Sequence, residues 1–385
     1  MADSQTPCLV ANGPFSSSQQ AIVTKEMGLE LNLSLSCIEI PEPTGNESLV
    51  KIICTGICRS DICFSIGPED GYPTHNHIAG HEGIGRVVKS SDSTLVGKLV
   101  ATRFLASSCG CCTYCLRNLE TSCVNQYNIP KHRNGTLQQF MAVPTSYLME
   151  LHGLPEIDKD LSKYCAALCS GSAALRAIRN ANTSPGDVVV VVGILGGIGH
   201  LVGMLAKQVF ALKVIGVDLK SKIDVFPAKH TVMACDVLLP AVEDQDPTAL
   251  VKLQDKIAVS CARLRNDTGT PRAADAVVVT SSRMSGFQRL ENFVCDGGSI
   301  VCVGVPRESN TLSIPLPSLV ERSLRIVGSL MGGRRDALEM IHYIKSGQID
   351  PIITKIELDQ VPLYMAKIRD AEIIGKVVVQ MPVRG

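Results

Sequence analysis

The sequence predicts an α/β protein of two domains, and three observations carry that reading. At 385 residues the chain is long enough to pack two separate cores. Residues 1 to about 165 contain short apolar runs, such as Leu49 to Cys54 and Leu99 to Phe104, broken by Pro, Gly and Ser, the pattern of a β-rich, barrel-like domain. From about 171 to 327 strand-like runs alternate with helical stretches, the pattern of a doubly wound parallel sheet.

The second domain is organised around Asp187 to Asp218, DVVVVVGILGGIGHLVGMLAKQVFALKVIGVD. Val188 to Val192 is an unbroken β-branched run, as expected of a parallel strand covered on both faces. It stops at Gly193, Gly196, Gly197 and Gly199. Leu201, Met204, Leu205 and Val209 then recur at helical spacing, and Lys213 to Val217 returns to a strand that ends in Asp218. In such a βαβ unit the glycines let the backbone bend sharply, approach a pyrophosphate and pack helix on strand, with the helix N-terminus facing the anion. An acid about 20 residues past the turn accepts hydrogen bonds from the adenosine ribose hydroxyls, so Asp218 favours NAD(H) over NADP(H). Lys220 and Lys222 weigh the other way, since either could turn inward and accept a 2′-phosphate.

Further along, Ala274 to Thr280, Ser299 to Val305 and Leu324 to Gly328 read as parallel strands, Asp336 to Ser346 as an amphipathic helix and Lys376 to Gln380 as a final strand. Internal repeats and low-complexity tracts are absent. The 37 basic and 37 acidic residues cancel and no basic run occurs, which argues against a nucleic-acid partner. The N-terminal MADSQTPCLVANGPF has neither a secretory nor a transit pattern, and no apolar run spans a bilayer uninterrupted, so the expectation is a cytoplasmic protein without a membrane partner. In a reducing compartment the 16 cysteines point to metal or catalysis and not to disulfides.

Cys109-x2-Cys112-x2-Cys115-x7-Cys123 is the most specific signal. Four thiolates on one short segment close a tetrahedral shell around Zn²⁺ with no open position, which makes the site structural. Cys111 lies inside the run as a bystander. A second, dispersed set comprises Cys58 in GICRSD, His81 in AGHEG and Cys169 in ALCSG. Two thiolates and an imidazole leave a fourth position free, as in a catalytic zinc site, but spacing alone does not join them: each read singly has a bland explanation as core or hydrogen-bonded structure.

In the order and approximate spacing of GICRSD, AGHEG, the four-cysteine lobe, the glycine turn, CVGVP and IVGS, the chain resembles the zinc-dependent alcohol dehydrogenases of the medium-chain dehydrogenase/reductase superfamily, most closely their yeast-type branch. The resemblance implies a GroES-like catalytic domain over 1–170, with a structural zinc lobe at 107–124, a Rossmann NAD-binding domain over 171–327, and a return to the catalytic domain over 328–385. It also implies two zinc ions per subunit. Cys58, His81 and Cys169 match the catalytic zinc ligands, Glu82 the acid beside the metal, and Ser60 the hydroxyl that bonds the substrate oxygen. Lys376 stands where many members place an Arg against the pyrophosphate, and Lys222 and Val305 join the cofactor set.

The chain also departs from the family pattern. Cys63 replaces a His that continues the proton relay to solvent, and a thiol is a poor shuttle at neutral pH. Ser65 and Phe104 stand where ethanol-preferring relatives carry tryptophans, and the chain has no Trp, so a wider pocket is expected. The resulting expectation is a hydride transfer between NAD(H) and an alcohol or aldehyde bulkier than ethanol, by a homo-oligomer, dimer or tetramer. The alternatives are a reductase of a conjugated C=C or an iminium, and a zinc- and nucleotide-binding protein without turnover.

Overall fold

The computed structural model describes residues 17–28, 30–66, 77–117, 119–154, 160–227, 230, 233–242, 246–267, 272–306 and 311–382. The N-terminal stretch read above for targeting signals lies outside them. The chain divides into two compact units, one of residues 1–169, 353–371 and 377–385, the other of 170–352 and 372–376.

The first unit opens with β1 (Ser18–Thr24), β2 (Leu33–Glu39), β3 (Glu47–Ile57), α1 (Arg59–Ile66), β4 (Glu82–Ser90), β5 (Leu99–Thr102) and β6 (Leu105–Ser107). It continues through α2 (Thr113–Leu116), β7 (Tyr127–Asn128), β8 (Phe140–Pro144), β9 (Met149–Glu150) and α3 (Ser162–Ala166). The expected strand Leu99 to Phe104 breaks at Arg103. The Arg103 side chain is buried there, and its Nε donates to the Leu168 carbonyl at 3.0 Å, which turns the chain into a separate two-stranded sheet of β6 and β7.

The second unit contains α4 (Ser172–Asn180), β10 (Val188–Val192), α5 (Gly199–Gln208), β11 (Lys213–Asp218), α6 (Lys220–Ile223), β12 (Val237–Pro240) and α7 (Pro247–Arg265). After these come β13 (Ala274–Val279), β14 (Val294–Cys302), α8 (Leu316–Glu321), β15 (Arg325–Gly328) and α9 (Arg334–Lys345). Six parallel strands run in the order β12-β11-β10-β13-β14-β15. Counted from β10 this is 3-2-1-4-5-6, so strand order reverses between β10 and β13, where a doubly wound sheet binds its ligand. All five valines of β10 are buried, each contributing roughly 1.5–3 kcal/mol of burial. On one face they meet Leu253, Ile257 and Cys261 of α7. The run expected to start at Ser299 begins at Val294 and stops at Cys302, because the Val303 and Gly304 amides turn to share the Val279 carbonyl.

Returning to the first unit, β16 (Ile353–Glu357), α10 (Val361–Arg369) and β17 (Lys376–Gln380) complete it. Its main sheet has seven strands, ordered β16-β17-β3-β4-β5-β9, with β8 also paired to β3. β3 and β4 are antiparallel with Gly56 opposite Glu82. Cys58, just past β3, and His81, just before β4, therefore leave the sheet at the same end.

Candidate functional site

In the first unit one ligand atom from each of Cys58, His81, Glu82 and Cys169 lies within 4.8 Å of the others. Different elements deliver them. Cys58 precedes α1, and its amide donates to Asp61 Oδ2 at 2.8 Å, so Asp61 caps the helix from its third residue. Asp61 Oδ1 also accepts from His81 Nδ1 at 2.9 Å and from the Gly80 amide at 2.9 Å. With Nδ1 held as donor, Nε2 is the ring's ligand atom. The ring is placed by Gly80, whose φ is +96° and whose position leaves no room for a side chain: a Cβ would stand 2.5 Å from Thr136 Oγ1. Cys169 sits in a π-helical turn, Ala167–Gly171, of the kind often found at functional sites.

Burial alone would lower the pKa of His81, but the Asp61 carboxylate and then the Cys58 sulfur outweigh it and hold the imidazole well above its usual value. The site thus attracts a cation in the plane of the ring. Glu82 Oε1 lies 3.8 Å from His81 Nε2, both side chains being buried. Glu82 thus adds a carboxylate to the group of Cys58, His81 and Cys169. Two sulfurs, an imidazole and a carboxylate are a donor set suited to Zn²⁺. Ser60 is half-buried at the start of α1, next to Cys58.

Two aromatic rings flank His81. Phe104 lies edge-on at 5.9 Å and Phe64 edge-on at 6.4 Å, and the two stack on each other at 6.0 Å. The Ser65 side chain is wholly buried and its Oγ has no hydrogen-bond partner among the described residues. Cys63 turns back along α1, its Sγ 3.9 Å from the Arg59 carbonyl.

The second cluster is Cys109, Cys112, Cys115 and Cys123. Sulfur separations are 3.6 Å for Cys112–Cys115 and Cys109–Cys123 and 3.9 Å for Cys109–Cys115. A ZnS₄ tetrahedron with bonds of about 2.3 Å has edges of about 3.8 Å, so these residues fit that ion. Backbone amides of Cys111 and Cys112 bring the Cys109 thiol down to about 6. Cys115 is pushed up to about 11, by desolvation first and by the Cys112 and Cys123 sulfurs, with the Ser108 hydroxyl opposing. Cys111 is exposed and outside the group. Among the described cysteines the expectation of free thiols fails at Cys37, which is disulfide-bonded.

In the second unit the glycine turn leads from β10 into α5. Asp218, at the end of β11, is buried and accepts from the Leu195 amide at 2.7 Å and the Leu219 amide at 2.8 Å, so it braces the turn. Of the two lysines, Lys220 is paired with Asp224 in solvent. Lys222 is the inward one: burial lowers its pKa while Asp218 works against the shift. Lys376 is buried with its Nζ donating to Ser170 Oγ at 3.1 Å. Val305 is 72% exposed beyond β14. Sequence reading passed over Asp61, Phe64, Arg103 and Ser170. Asp61 alone left a trace, as the acid three residues after Cys58.

A six-stranded sheet in this order with a glycine turn, together with a β-rich unit carrying two clusters of metal-type donors, is the combination that the resemblance to medium-chain dehydrogenases implies. Residues 44–153 match the alcohol dehydrogenase GroES-like domain. An alcohol dehydrogenase of Geobacillus stearothermophilus is 29% identical over 355 residues, 91% of this chain and 96% of that protein. The solved alcohol dehydrogenase of Aeropyrum pernix superposes with a TM-score of 0.79 at 19% identity, over 94% of this chain and 99% of that one. The acetophenone reductase of Geotrichum candidum, solved in complex with NAD, gives 0.74 at 21% identity, over 96% and 98%. Over nearly its whole length the chain is thus similar to alcohol dehydrogenases, and its residues 44–153 match their GroES-like domain.

Proposed function

We propose that the protein is an NAD(H)-dependent alcohol dehydrogenase or aldehyde reductase that holds two zinc ions, one catalytic and one structural. The convergence of Cys58, the adjacent pair His81 and Glu82, and Cys169, from three separate stretches of chain, carries this reading. When bound, zinc supplies Lewis acidity toward an alcohol or carbonyl oxygen and NAD(H) supplies the hydride chemistry. Cys58, His81 and Cys169 would hold the catalytic ion, with the Glu82 carboxylate beside them. Asp61 keeps His81 in the tautomer that presents Nε2. Ser60 would supply the hydroxyl that holds the substrate proton, and Cys63, whose Sγ turns toward the Arg59 carbonyl, would not extend that path. Cys109, Cys112, Cys115 and Cys123 would hold the structural ion.

On the cofactor side, Gly193, Gly196, Gly197, Gly199 and Lys376 would receive the diphosphate, with Asp218, Lys222 and Val305 toward the two nucleoside ends. Asp218 favours NAD(H), because a 2′-phosphate would be repelled by its carboxylate. Ser65 and Phe104 stand in place of indoles, and the Phe64–Phe104 wall beside His81 would favour flat aromatic or branched substrates by shape, with each well-placed apolar group contributing about 1–3 kcal/mol. A homo-oligomer is supported by exposed apolar side chains, Leu316, Val320 and Ile326, on α8 and the sheet-edge strand β15.

The test is NADH oxidation over aldehydes graded from acetaldehyde to benzylic and branched members, with the products identified. Equal efficiency for acetaldehyde and benzaldehyde refutes the pocket reading. The placement of Cys63 favours one second reading, reduction of a conjugated C=C or an iminium, in which no hydroxyl proton has to leave. With cinnamaldehyde as substrate, an allylic alcohol supports the first reading and a saturated aldehyde the second.

A further inference from the structure

The stretch of chain that supplies Phe104 also reaches the turn that bears Cys169. Arg103, between β5 and β6, is only 8% exposed, a rare degree of burial for a guanidinium, and its Nε donates to the Leu168 carbonyl at 3.0 Å. Leu168 is wholly buried and immediately precedes Cys169 in the π-helical turn Ala167–Gly171. A side chain that bonds a carbonyl inside a helix competes with the backbone ladder there, which is an identifiable cause of a local widening or kink. With an ionised donor, this bond belongs to the stronger class. What the widening does to Cys169 follows from Cys165, four residues earlier in α3. Residues four apart on an α-helix share a face. Cys165 Sγ lies 3.4 Å from Cys54 Sγ, both side chains being buried, so an unbroken α-helix would send Cys169 toward that same part of the core. Cys169 instead joins Cys58, His81 and Glu82, a group that does not include Cys54. The extra residue in the π turn accounts for the change of direction.

We propose that Arg103 is a positioning residue of the candidate catalytic metal site, holding the Leu168 carbonyl so that the π turn persists and the Cys169 thiol faces Cys58, His81 and Glu82. Phe104, the next residue, lies edge-on to the His81 ring at 5.9 Å. One short segment therefore directs one ligand through the backbone and packs against a second through an aromatic ring. Asp61 orders Cys58 and His81 through hydrogen bonds, so each of the three ligands has a neighbour that sets its direction. Arg103 acts on turnover only through the metal.

This inference rests on the reading of Cys58, His81 and Cys169 as a zinc site, and the experiment separates the two. The native full chain is compared with Arg103→Met, which keeps an unbranched apolar stem and removes the donor. The readouts are zinc content, competitive-chelator titration and the visible spectrum after cobalt(II) substitution. Arg103→Met should keep the ion of the four-cysteine lobe and bind the other about 10–100-fold more weakly. Its thiolate-to-cobalt charge-transfer band should drop toward that of Cys169→Ser, and kcat should fall with the metal while NADH binding stays near native. Arg103→Lys, with one ammonium in place of the planar fork, should fall between Met and native. A circular dichroism melt reports folding, and if Arg103→Met does not fold, Arg103→Lys decides, a partial loss of the second ion supporting the role. A folded Met variant, or the Lys variant in its place, with native zinc affinity and a native cobalt spectrum overturns it. A residue that only fills the core would lower the melting temperature and leave the ligands of the metal unchanged. A native chain that holds no ion beyond that of the four-cysteine lobe overturns the reading of the site itself, and this inference with it.

Discussion

Asp61 is a small side chain with three obligations. It accepts from the Cys58 amide, the Gly80 amide and His81 Nδ1, using both carboxylate oxygens. Asn offers one acceptor oxygen and turns an NH₂ toward at least one of these donors, while removing the charge that favours a cation in the ring plane. Asp61→Asn should therefore weaken zinc retention by about 10–100-fold in a competitive-chelator titration, with the loss of turnover tracking the loss of metal. Retention equal to native would show that the histidine is oriented by packing alone. Cys63 is the complementary case, a side chain that does too little. Cys63→His should raise alcohol oxidation at pH 7 by about tenfold or more and have less effect at pH 9, where water and hydroxide already carry the proton. An unchanged pH–rate profile would refute the relay argument. These residues differ in legibility for a physical reason. Close cysteine spacing encodes a tetrahedron directly, but Asp61 acts through contacts made when β3 and β4 pair, and Phe64 reaches the His81 ring only once α1 packs beside it.

Among the elements, the βαβ unit was fully legible because its two periods, an unbroken valine run and then helical spacing, lie on either side of a glycine cluster. The long helix α7 was not singled out. Its buried stripe is only Leu253, Ile257 and Cys261, too narrow to stand out over a polar surface, although its ends are signposted by Asp246, which caps the Thr248 amide, Pro247 in the first turn, and Asn266 in a left-handed conformation. Strand ends were misjudged where a side chain or a shared carbonyl intervenes, at Arg103 and at Val303–Gly304, since neither long-range hydrogen bond has a local pattern. The turn glycines are not equivalent. A Cβ on Gly199 would stand 2.0 Å from the Gly193 carbonyl oxygen, a backbone atom that cannot step aside, whereas one on Gly196 would stand 3.3 Å from the same oxygen. Gly199→Ala should abolish NADH binding, read by fluorescence titration, and lower the melting temperature, while Gly196→Ala should bind with a modest loss. The reverse order of effects would reject this packing of strand, turn and helix.

At the scale of the whole molecule the two metal-type clusters sit in opposite settings, and this decides what each contributes. His81, Glu82 and Cys169 are buried among strands and helices that have an apolar core of their own, including Ile57, Ile62, Ile84 and Leu168. The Cys109–Cys123 lobe has almost none: α2 is four residues long with no buried residue, and Tyr114, Leu116 and Val124 are exposed. A segment without a core takes its order from the ion it holds, so metal binding there is folding free energy. Two consequences separate the sites. Cys112→Ser should cost stability, about 1 °C of melting temperature for each kcal/mol lost in a chain of 385 residues, and open the lobe to limited proteolysis while residual turnover persists. Cys169→Ser should leave the melting temperature and NADH binding near native and abolish turnover. Metal analysis should accompany both, with two zinc ions per native chain and one in each variant. If Cys169→Ser unfolds the protein while Cys112→Ser does not, the division into a catalytic and a structural ion is wrong, because the ion in the core would then be the one on which the fold depends.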